Sequence, residues 1–251
     1  MKNTGWVLVF VAALGFSESA HALSSYSATA LGALSNQDQV DTLVGTMALG
    51  TNHRAYEPAT SLGAVIGLDI GFDLALIRVS SDFQNLMTAV GAAGVPNTLP
   101  LPRINLHKGL PGRVDLGFSW VGYQGNSVYG IEAKFTPLEG PAVPAIAIRG
   151  AYTFSKIYFM DTGTFTFDAL ISKKLAIIDP YLGFGYIYYS GNLIVPTGQS
   201  LAPTISAASS GGTGRFFIGL PLKLGFLKLT PEWESTFSKI SNIGLKASLA
   251  L

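Results

Sequence analysis

Oppositely charged residues recur at alternate positions in short segments that are otherwise apolar. Glu132 and Lys134 stand in one such segment, Arg149 in the next and Asp168 in the third. If these segments are neighbouring antiparallel strands, the charges lie on one face and can pair across the strands. Such side chains either close an interior with salt bridges or line a polar track that selects a small solute. Both alternatives depend on the elements that carry these residues.

The alternation of side chains identifies the elements as β-strands. Residues 145–154 and 164–172 each repeat with a period of two, which is typical of a strand with one apolar and one mixed face. The break between them predicts a hairpin. The same rhythm recurs along the chain and predicts ten strands: 62–72, 99–107, 113–123, 128–135, 145–154, 164–172, 181–189, 215–224, 227–237 and 243–251.

The charges of all ten segments fall on one parity. The apolar parity carries none, and the other parity carries the charges together with many glycines: Asp69, Arg103, Arg113, Asp115, Glu132, Lys134, Arg149, Asp168, Lys223, Lys228, Glu232, Glu234 and Lys246. A water-soluble barrel or sandwich has its charges outside, where so many glycines would be unusual. The pattern predicts an all-β fold, an antiparallel transmembrane β-barrel of about ten strands with an apolar exterior and a polar lumen.

Composition supports a membrane setting without a spanning helix. The chain is 48% hydrophobic and 12% charged, with a mean hydropathy of +0.38, whereas soluble domains carry roughly 25% charged residues. Beyond the N-terminus no apolar run approaches the roughly 18 residues of a membrane-spanning helix. The absence of cysteine excludes disulfides, and the net charge of +1 gives no basic surplus for nucleic acid.

The N-terminus has the pattern of a secretory signal peptide. Lys2 precedes a short apolar stretch, and Ala20-His21-Ala22 matches a cleavage site, so we expect residues 1–22 to be removed on export. Residues 23–61 follow as a periplasmic or plug segment, and residues 62–251 as the barrel. Ser35 is a candidate cap for a helix over 36–47, which either plugs the barrel or rests at its periplasmic mouth.

Loop lengths predict the orientation of the barrel. With Leu251 in the periplasm, the two longest connections, 78–98 and 190–214, face outward, as in outer-membrane barrels. A short helix is predicted within the first of them, at 81–90.

Turn positions predict which lumen charges face each other. A turn centred between residues 140 and 141 places Glu132 opposite Arg149, and one centred between 158 and 159 places Arg149 opposite Asp168. The three would form a charge ladder. Similar counting places Glu234 opposite Lys246, and Lys223 opposite Lys228 as an unfavourable pair. The ladder predicts that Arg149→Ala weakens the barrel more than Arg54→Ala.

Enzyme and metal signals are sparse. The chain has no G-x-S-x-G, H-E-x-x-H or phosphate-loop motif, and the spacing of its few histidines predicts no metal site. We therefore predict no catalytic residues, no metal and no cofactor. A minor alternative is a hydrolase of the outer membrane with a site near Ser119, His107 or Asp115.

Several segments resemble a known family. The runs 131–135, 144–152, 168–173 and 180–185, with Glu139-Gly140, are similar to an uncharacterised family of Gram-negative outer-membrane β-barrel proteins, defined by a domain of unknown function. The resemblance covers most of the chain from about Leu62 and is best between Val128 and Gly185. It implies a barrel with its N-terminal end in the periplasm and implies no substrate.

Three functions are compatible with such a barrel. The first is a structural role, or passage of small or hydrophobic solutes through a narrow charged lumen. The second is a surface interaction protein that acts through its extracellular loops, and the third is an outer-membrane enzyme. The expected partners are outer-membrane lipid, the barrel-assembly machinery and a small or hydrophobic ligand.

Overall fold

The computed structural model describes residues 36–89, 95–123, 125–195, 205–238 and 240–251. The predicted signal peptide lies outside the described residues, so export stays a prediction. The described elements are α1 (Gln37–Thr51), β1 (Leu68–Arg78), α2 (Ser81–Ala89), β2 (Thr98–Leu110), β3 (Val114–Tyr123), β4 (Asn126–Leu138), β5 (Ala145–Ile157), β6 (Met160–Ser172), β7 (Tyr181–Val195), β8 (Ile205–Gly219), β9 (Leu222–Leu224), β10 (Leu227–Thr236) and β11 (Ser241–Ala250).

The strands close into a ten-stranded antiparallel barrel. Apart from β8 and β9, which both pair with β10, each strand pairs with the next along the chain. β11 pairs with both β10 and β1, which leaves no open end to the sheet. β8 and β9 both pair with β10 and are two parts of one wall strand, interrupted at Leu220 and Pro221. Proline has no N–H to donate, which accounts for the interruption. The predicted fold class is confirmed.

Burial alternates along the strands as predicted. Phe165 and Phe167 are 50% and 52% exposed, whereas Thr166 and Asp168 are 0% exposed. The exposed apolar side chains of the strands form a belt around the outside of the barrel. The charged side chains in the middle of the strands lie in the lumen, whereas Arg78 and Lys156, near the loop end, face outward. The parity prediction is therefore confirmed.

Some predicted boundaries are wrong. β1 begins at Leu68 rather than at residue 62 and continues to Arg78. The predicted loop 190–214 is mostly strand, because β7 and β8 pair from Tyr181↔Gly219 to Val195↔Ile205. Small residues in this hairpin resemble a loop in composition, but their backbones still form the ladder. The short helix predicted at 81–90 is present as α2.

The two ends of the barrel differ. One end, here called the turn end, carries the short connections 111–113, 139–144, 173–180 and 225–226, and there Leu251 pairs with Leu68 through backbone hydrogen bonds. The other, here called the loop end, carries the long β1–β2 connection with α2 and the extended β7–β8 hairpin. The loop-length rule for outer-membrane barrels predicts that the loop end faces the outside of the cell.

Helix α1 lies in the lumen near the loop end. Asn36 caps it by accepting a hydrogen bond from the Asp38 N–H at 3.0 Å. Its apolar side packs on α2 and on the loop-end residues of β6 and β7: Val40, Leu43, Val44 and Met47 join Val79, Phe83, Leu86, Met87, Met160 and Leu193 in one cluster. Of the two predicted placements, the helix therefore occupies the plug position. Neither described helix is long and apolar enough to cross a membrane.

Residues 52–62, here called the thread, continue from α1 through the lumen to the turn end. The Thr60 hydroxyl donates to Asp179 at 2.7 Å and the Ser61 hydroxyl donates to Glu139 at 2.7 Å, both acceptors lying in turn-end connections. Every residue from 43 to 60 is buried. The chain thus crosses the barrel interior once before β1 begins, and α1 starts at the end opposite to Leu251.

The two ends can be distinguished by single-cysteine labelling, because the chain contains no cysteine. Asp38 and Ala142 are both exposed, the first at the start of α1 and the second in a turn-end connection. In intact cells with an outer membrane, we expect a membrane-impermeant maleimide to label Asp38→Cys and not Ala142→Cys, and to label both after permeabilisation. Labelling of Ala142→Cys alone in intact cells would contradict the orientation.

Candidate functional site

Among the residues that the structure describes, the buried polar side chains beside the thread include three groups. The arginine cluster comprises Arg54, Arg149, Asp168, Arg215 and Glu234. The lysine cluster comprises Glu57, Asp69, Lys228 and Lys246. The histidine cluster comprises His53, His107, Ser119 and Glu132. Each contains wall residues from the strands and, from the thread, Arg54, Glu57 or His53.

The arginine cluster is a chain of alternating charges. Arg149 Nε donates to Asp168 Oδ2 at 2.9 Å, and Arg215 donates to both Asp168 oxygens, from Nε at 2.8 Å and from Nη2 at 2.5 Å. Arg215 Nη1 donates to Glu234 at 3.0 Å, and Arg54 Nη2 donates to the other Glu234 oxygen at 2.9 Å. Because none of the five is more than 3% exposed, each charge depends on its partners rather than on water.

Arg54 also binds the last carbonyl groups of helix α1. Its Nη1 donates to the Gly50 carbonyl at 2.9 Å and its Nη2 to the Leu49 carbonyl at 3.2 Å. The last carbonyls of a helix lack partners within it and carry partial negative charge, which a guanidinium compensates. Arg54 therefore ties the helix to Glu234 of the wall.

The lysine cluster holds the thread near the turn end. Lys228 Nζ contacts Glu57 at 2.7 Å and Asp69 at 2.5 Å, and Lys246 Nζ contacts the same two carboxylates at 2.7 and 2.8 Å. Lys223 lies opposite Lys228 in the register, as predicted. The thread's Glu57 and the wall's Asp69 provide the negative charge that Lys228 requires.

The histidine cluster has the connectivity of a nucleophile–base–acid relay. His53 Nδ1 lies 2.8 Å from the Ser119 hydroxyl, and His53 Nε2 lies 3.1 Å from Glu132 Oε2. A hydrolytic serine also requires a neighbouring space for the substrate. Ser119 and His53 are each only 1% exposed, so the Ser119 oxygen is enclosed by the thread and the wall. In this closed state the contacts fix His53 in the lumen.

Possible metal ligands also converge, although the sequence predicts no metal site. His53, His107 and Glu132 form one group, and Glu57, Asp69 and His107 form another. The Lys246 ammonium lies 3.2 Å from His107 Nδ1 and binds Glu57 and Asp69. Because this positive charge already occupies the second group, that group does not fit a metal ion.

The same lysine determines the tautomer of His107. Since Lys246 donates to Nδ1, neutral His107 carries its hydrogen on Nε2, which faces Glu132 Oε1 at 3.4 Å. An N–H cannot ligate a metal, so the first group does not fit one either.

Most residues predicted to face the lumen are buried there. These are Asp69, Arg103, Asp115, Glu132, Lys134, Arg149, Asp168, Lys228, Glu232, Glu234 and Lys246. Arg113 is a correction, because it is exposed in the β2–β3 turn with a left-handed φ of 61°. Lys223 is only half-buried, at the turn end of β9.

Two predicted pairings are wrong. Arg149 lies opposite Asp168 but faces Lys134, not Glu132, on its other side. An irregularity in β4 between Phe135 and Leu138 and the 139–144 connection shift this register by two residues. Arg149 still approaches Glu132 diagonally, at 3.9 Å.

The predicted pairing of Glu234 with Lys246 is also wrong. Glu234 faces Asn242, and Lys246 faces Thr230. The Thr236 N–H donates to the Ile240 carbonyl at 2.8 Å and closes the β10–β11 turn earlier than predicted. Arg54 is as deeply buried and ion-paired as Arg149, so the predicted contrast between their alanine variants loses its basis.

Several lumen residues escaped prediction. Arg215 shares the inward parity of Phe217, so the alternation was sufficient to find it. Asp73 was missed because β1 extends beyond residue 72; it accepts a hydrogen bond from Asn105 and lies 3.5 Å from Arg103. The thread residues have no periodicity, and no sequence signal places them.

Comparison with known proteins adds only distant likenesses. No protein-family model and no curated protein matches the sequence, so the family resemblance stays a prediction. Among solved structures of outer-membrane β-barrel proteins, the N-terminal barrel domain of Pseudomonas aeruginosa OprF is 7% identical, with 72% of this chain and 96% of that one covered and a TM-score of 0.35.

Two further solved structures are similarly distant. Neisserial surface protein A is 8% identical, with 73% and 97% of the two chains covered and a TM-score of 0.35. Omp33 of Acinetobacter baumannii is 6% identical, with 73% and 97% covered and a TM-score of 0.33. At these values the likenesses carry no argument about function.

The lysine cluster predicts that Glu57 is essential for stability. In Glu57→Gln, two buried lysines share the single carboxylate of Asp69, and we expect the free energy of unfolding to fall by about 3 kcal/mol. Urea titration of the reconstituted protein, followed by heat-modifiable gel migration, measures this. Glu139→Gln is the control, because Glu139 is only half-buried, and its loss should be smaller. Equal losses would contradict the cluster's role.

The close approach of the wall at Gly130 to His53 predicts that a larger residue at position 130 disturbs the thread. A Cβ at this position would stand 2.5 Å from both His53 Nδ1 and the Ser119 oxygen, whereas a Cβ at Gly150 would meet nothing within 4 Å. We expect Gly130→Ala to displace the thread, to cost about 1–3 kcal/mol and to speed hydrogen exchange of backbone amides at residues 52–57. Gly150→Ala should change neither quantity. If the two variants behave alike, His53 is not held here.

Proposed function

We propose that this protein is an outer-membrane β-barrel whose lumen is permanently closed by α1 and the thread, and which acts through its exposed ends. The apolar belt and charged lumen support a lipid-facing barrel, since every strand is paired and the polar groups turn inward. Outer-membrane lipid is then the partner of the belt. Insertion by the barrel-assembly machinery follows as part of the proposal.

The burial of residues 43–60 carries the proposal of closure. Near the loop end, α1 packs in an apolar cluster with α2 and the wall. Nearer the turn end, Arg54 and Glu57 complete ion pairs with wall residues. Withdrawal of the segment would expose apolar surface and leave buried charges without partners, and both changes cost free energy. A role for the extracellular end is therefore favoured over steady passage through the lumen.

Gated passage is the second candidate. It is favoured by the ionic contacts of the thread, which water and salt could replace if α1 moved. The lumen wall would then present acidic residues near Arg54 and lysines near Glu57, a suitable lining for small polar solutes. An enzymatic role is not proposed, because Ser119 is enclosed.

Planar-bilayer recordings separate closure from passage. We expect the full-length mature protein to give no steady conductance steps, because α1 and the thread fill the lumen. A variant lacking residues 36–61 should conduct, provided that its heat-modifiable migration shows a folded barrel. Regular, ion-selective steps from the unaltered protein would defeat the closed-barrel proposal and favour gated passage.

A further inference from the structure

The charged side chains that are not buried differ between the two ends of the barrel. Among the described residues at the turn end, those that are basic are Lys108, Arg113, Lys173, Lys174 and Lys223, and the one that is acidic is Glu139. Acidic side chains are in the majority at the loop end, where the described residues of this kind are Asp38, Asp41, Asp82, Asp161, Arg78 and Lys156. The side chains therefore make the turn end the basic end of the barrel.

The acidic side chains of the turn-end connections are bound by the thread and do not neutralise these basic residues. Asp179 is buried and accepts a hydrogen bond from the Thr60 hydroxyl, and Glu139 accepts hydrogen bonds from the Ser61 hydroxyl and N–H at 2.7 and 3.1 Å. In the part of the chain that the structure describes, none of the five basic side chains forms an ion pair with a carboxylate. Their positive charge is therefore available to an external anion.

Four of these basic residues form two pairs on the outer rim of the turn end. Lys108 and Arg113 belong to the β2–β3 hairpin, here called the β2–β3 corner. Lys173 and Lys174 begin the connection from β6 to β7, here called the β6–β7 corner. Lys223 has the inward parity of its strand and lies at the mouth of the lumen, so it belongs to neither corner.

The first lysine of each corner lies on the outward face of the wall. Lys108 faces Leu116 of the exposed belt, and Lys173 follows the inward Ser172. The Lys108 ammonium donates to the Ile66 carbonyl, and the Lys173 ammonium donates to two carbonyls of the β4–β5 connection, at 2.8 and 3.2 Å. Because carbonyl groups carry no net charge, both ammonium groups remain positive at the edge of the belt.

Exposed apolar side chains continue from the belt into both corners. Val65 and Ile66, which are 97% and 60% exposed, precede β1 beside Lys108. Leu175 and Ile177, which are 48% and 59% exposed, lie in the connection of the β6–β7 corner. Lipid acyl chains accommodate such side chains, while neighbouring lysines extend their ammonium groups to the headgroup layer. The rim therefore has the chemistry of the boundary between acyl chains and headgroups.

We propose that the two corners bind the headgroup phosphates of anionic phospholipids in the leaflet that surrounds the turn end. Basic side chains near a membrane surface attract anionic headgroups, and each one adds to the attraction. An acidic protein would match the charge of the corners, but a phospholipid also matches the apolar side chains that continue the belt. The inference rests on the proposed lipid-facing barrel, because the rim lies at a membrane surface only if the belt lies in lipid.

Native mass spectrometry of the full-length mature protein in a neutral detergent tests the proposal. The probes are dioleoylphosphatidylglycerol and dioleoylphosphatidylcholine, which share their acyl chains and differ in headgroup charge. We expect the protein to bind phosphatidylglycerol more tightly, with one molecule at each corner. Lys173→Gln combined with Lys174→Gln should weaken binding at one corner by about tenfold, since two cationic side chains are lost. Heat-modifiable gel migration should show a retained fold, because glutamine keeps an N–H donor.

The matched control is Arg78→Gln combined with Lys156→Gln. This variant also loses two outward basic side chains, but they lie near the loop end. It should bind phosphatidylglycerol as the unaltered protein does, and equal weakening in both double variants would overturn the assignment of the site. An excess of inorganic phosphate should leave the lipid bound. Displacement of the lipid by inorganic phosphate would show that the corners select the phosphate alone and would overturn the lipid assignment.

Other outcomes distinguish this proposal from the lipid-facing barrel. If the two lipids bind equally and the protein needs detergent to stay in solution, the headgroup proposal fails and the barrel stands. If neither lipid binds and the protein is soluble without detergent, both fail. A benzophenone attached to Leu175→Cys that crosslinks to a protein rather than to lipid in cell envelopes would identify a protein-docking rim and overturn the headgroup proposal.

Discussion

The pairing of buried charge is the constraint on which the rest of this structure depends. A barrel that turns its apolar side chains to lipid must turn its charged ones into a narrow interior, where little water is available to solvate them. Asp168 has its compensation from two wall arginines, but Glu234 and Lys228 also need residues of the thread. The thread is therefore part of the electrostatic balance of the barrel and does more than fill space.

The interior has two kinds of contact along its length. Near the loop end, α1 packs through aliphatic and methionine side chains. Nearer the turn end, the thread is held by ion pairs and hydrogen bonds. Arg54 joins the two regions, since it binds the helix carbonyls and Glu234 together. This division explains why one segment of the chain can be helical where it meets apolar wall and extended where its backbone is bonded by the wall, as at Lys134, which donates to the Pro58 and Thr60 carbonyls.

Convergence of reactive side chains does not by itself identify chemistry. Ser119, His53 and Glu132 have the connectivity of a hydrolytic relay, and two groups of histidine and carboxylate resemble metal sites. Burial of the serine, the ammonium of Lys246 and the tautomer it imposes on His107 explain these groups as parts of the closed lumen.

The sequence by itself determined the barrel, its inward and outward faces and most of its charged lumen, because a strand alternates its side chains with a period of two whatever its neighbours are. It also placed Arg149 beside Asp168, since a tight turn fixes that register. Only the tertiary structure decided the pairings of Glu132 and Glu234, which depend on a strand irregularity and on an early turn closure. Only the tertiary structure placed His53, Arg54 and Glu57, because an extended segment without periodicity takes its position from the wall charges that it neutralises.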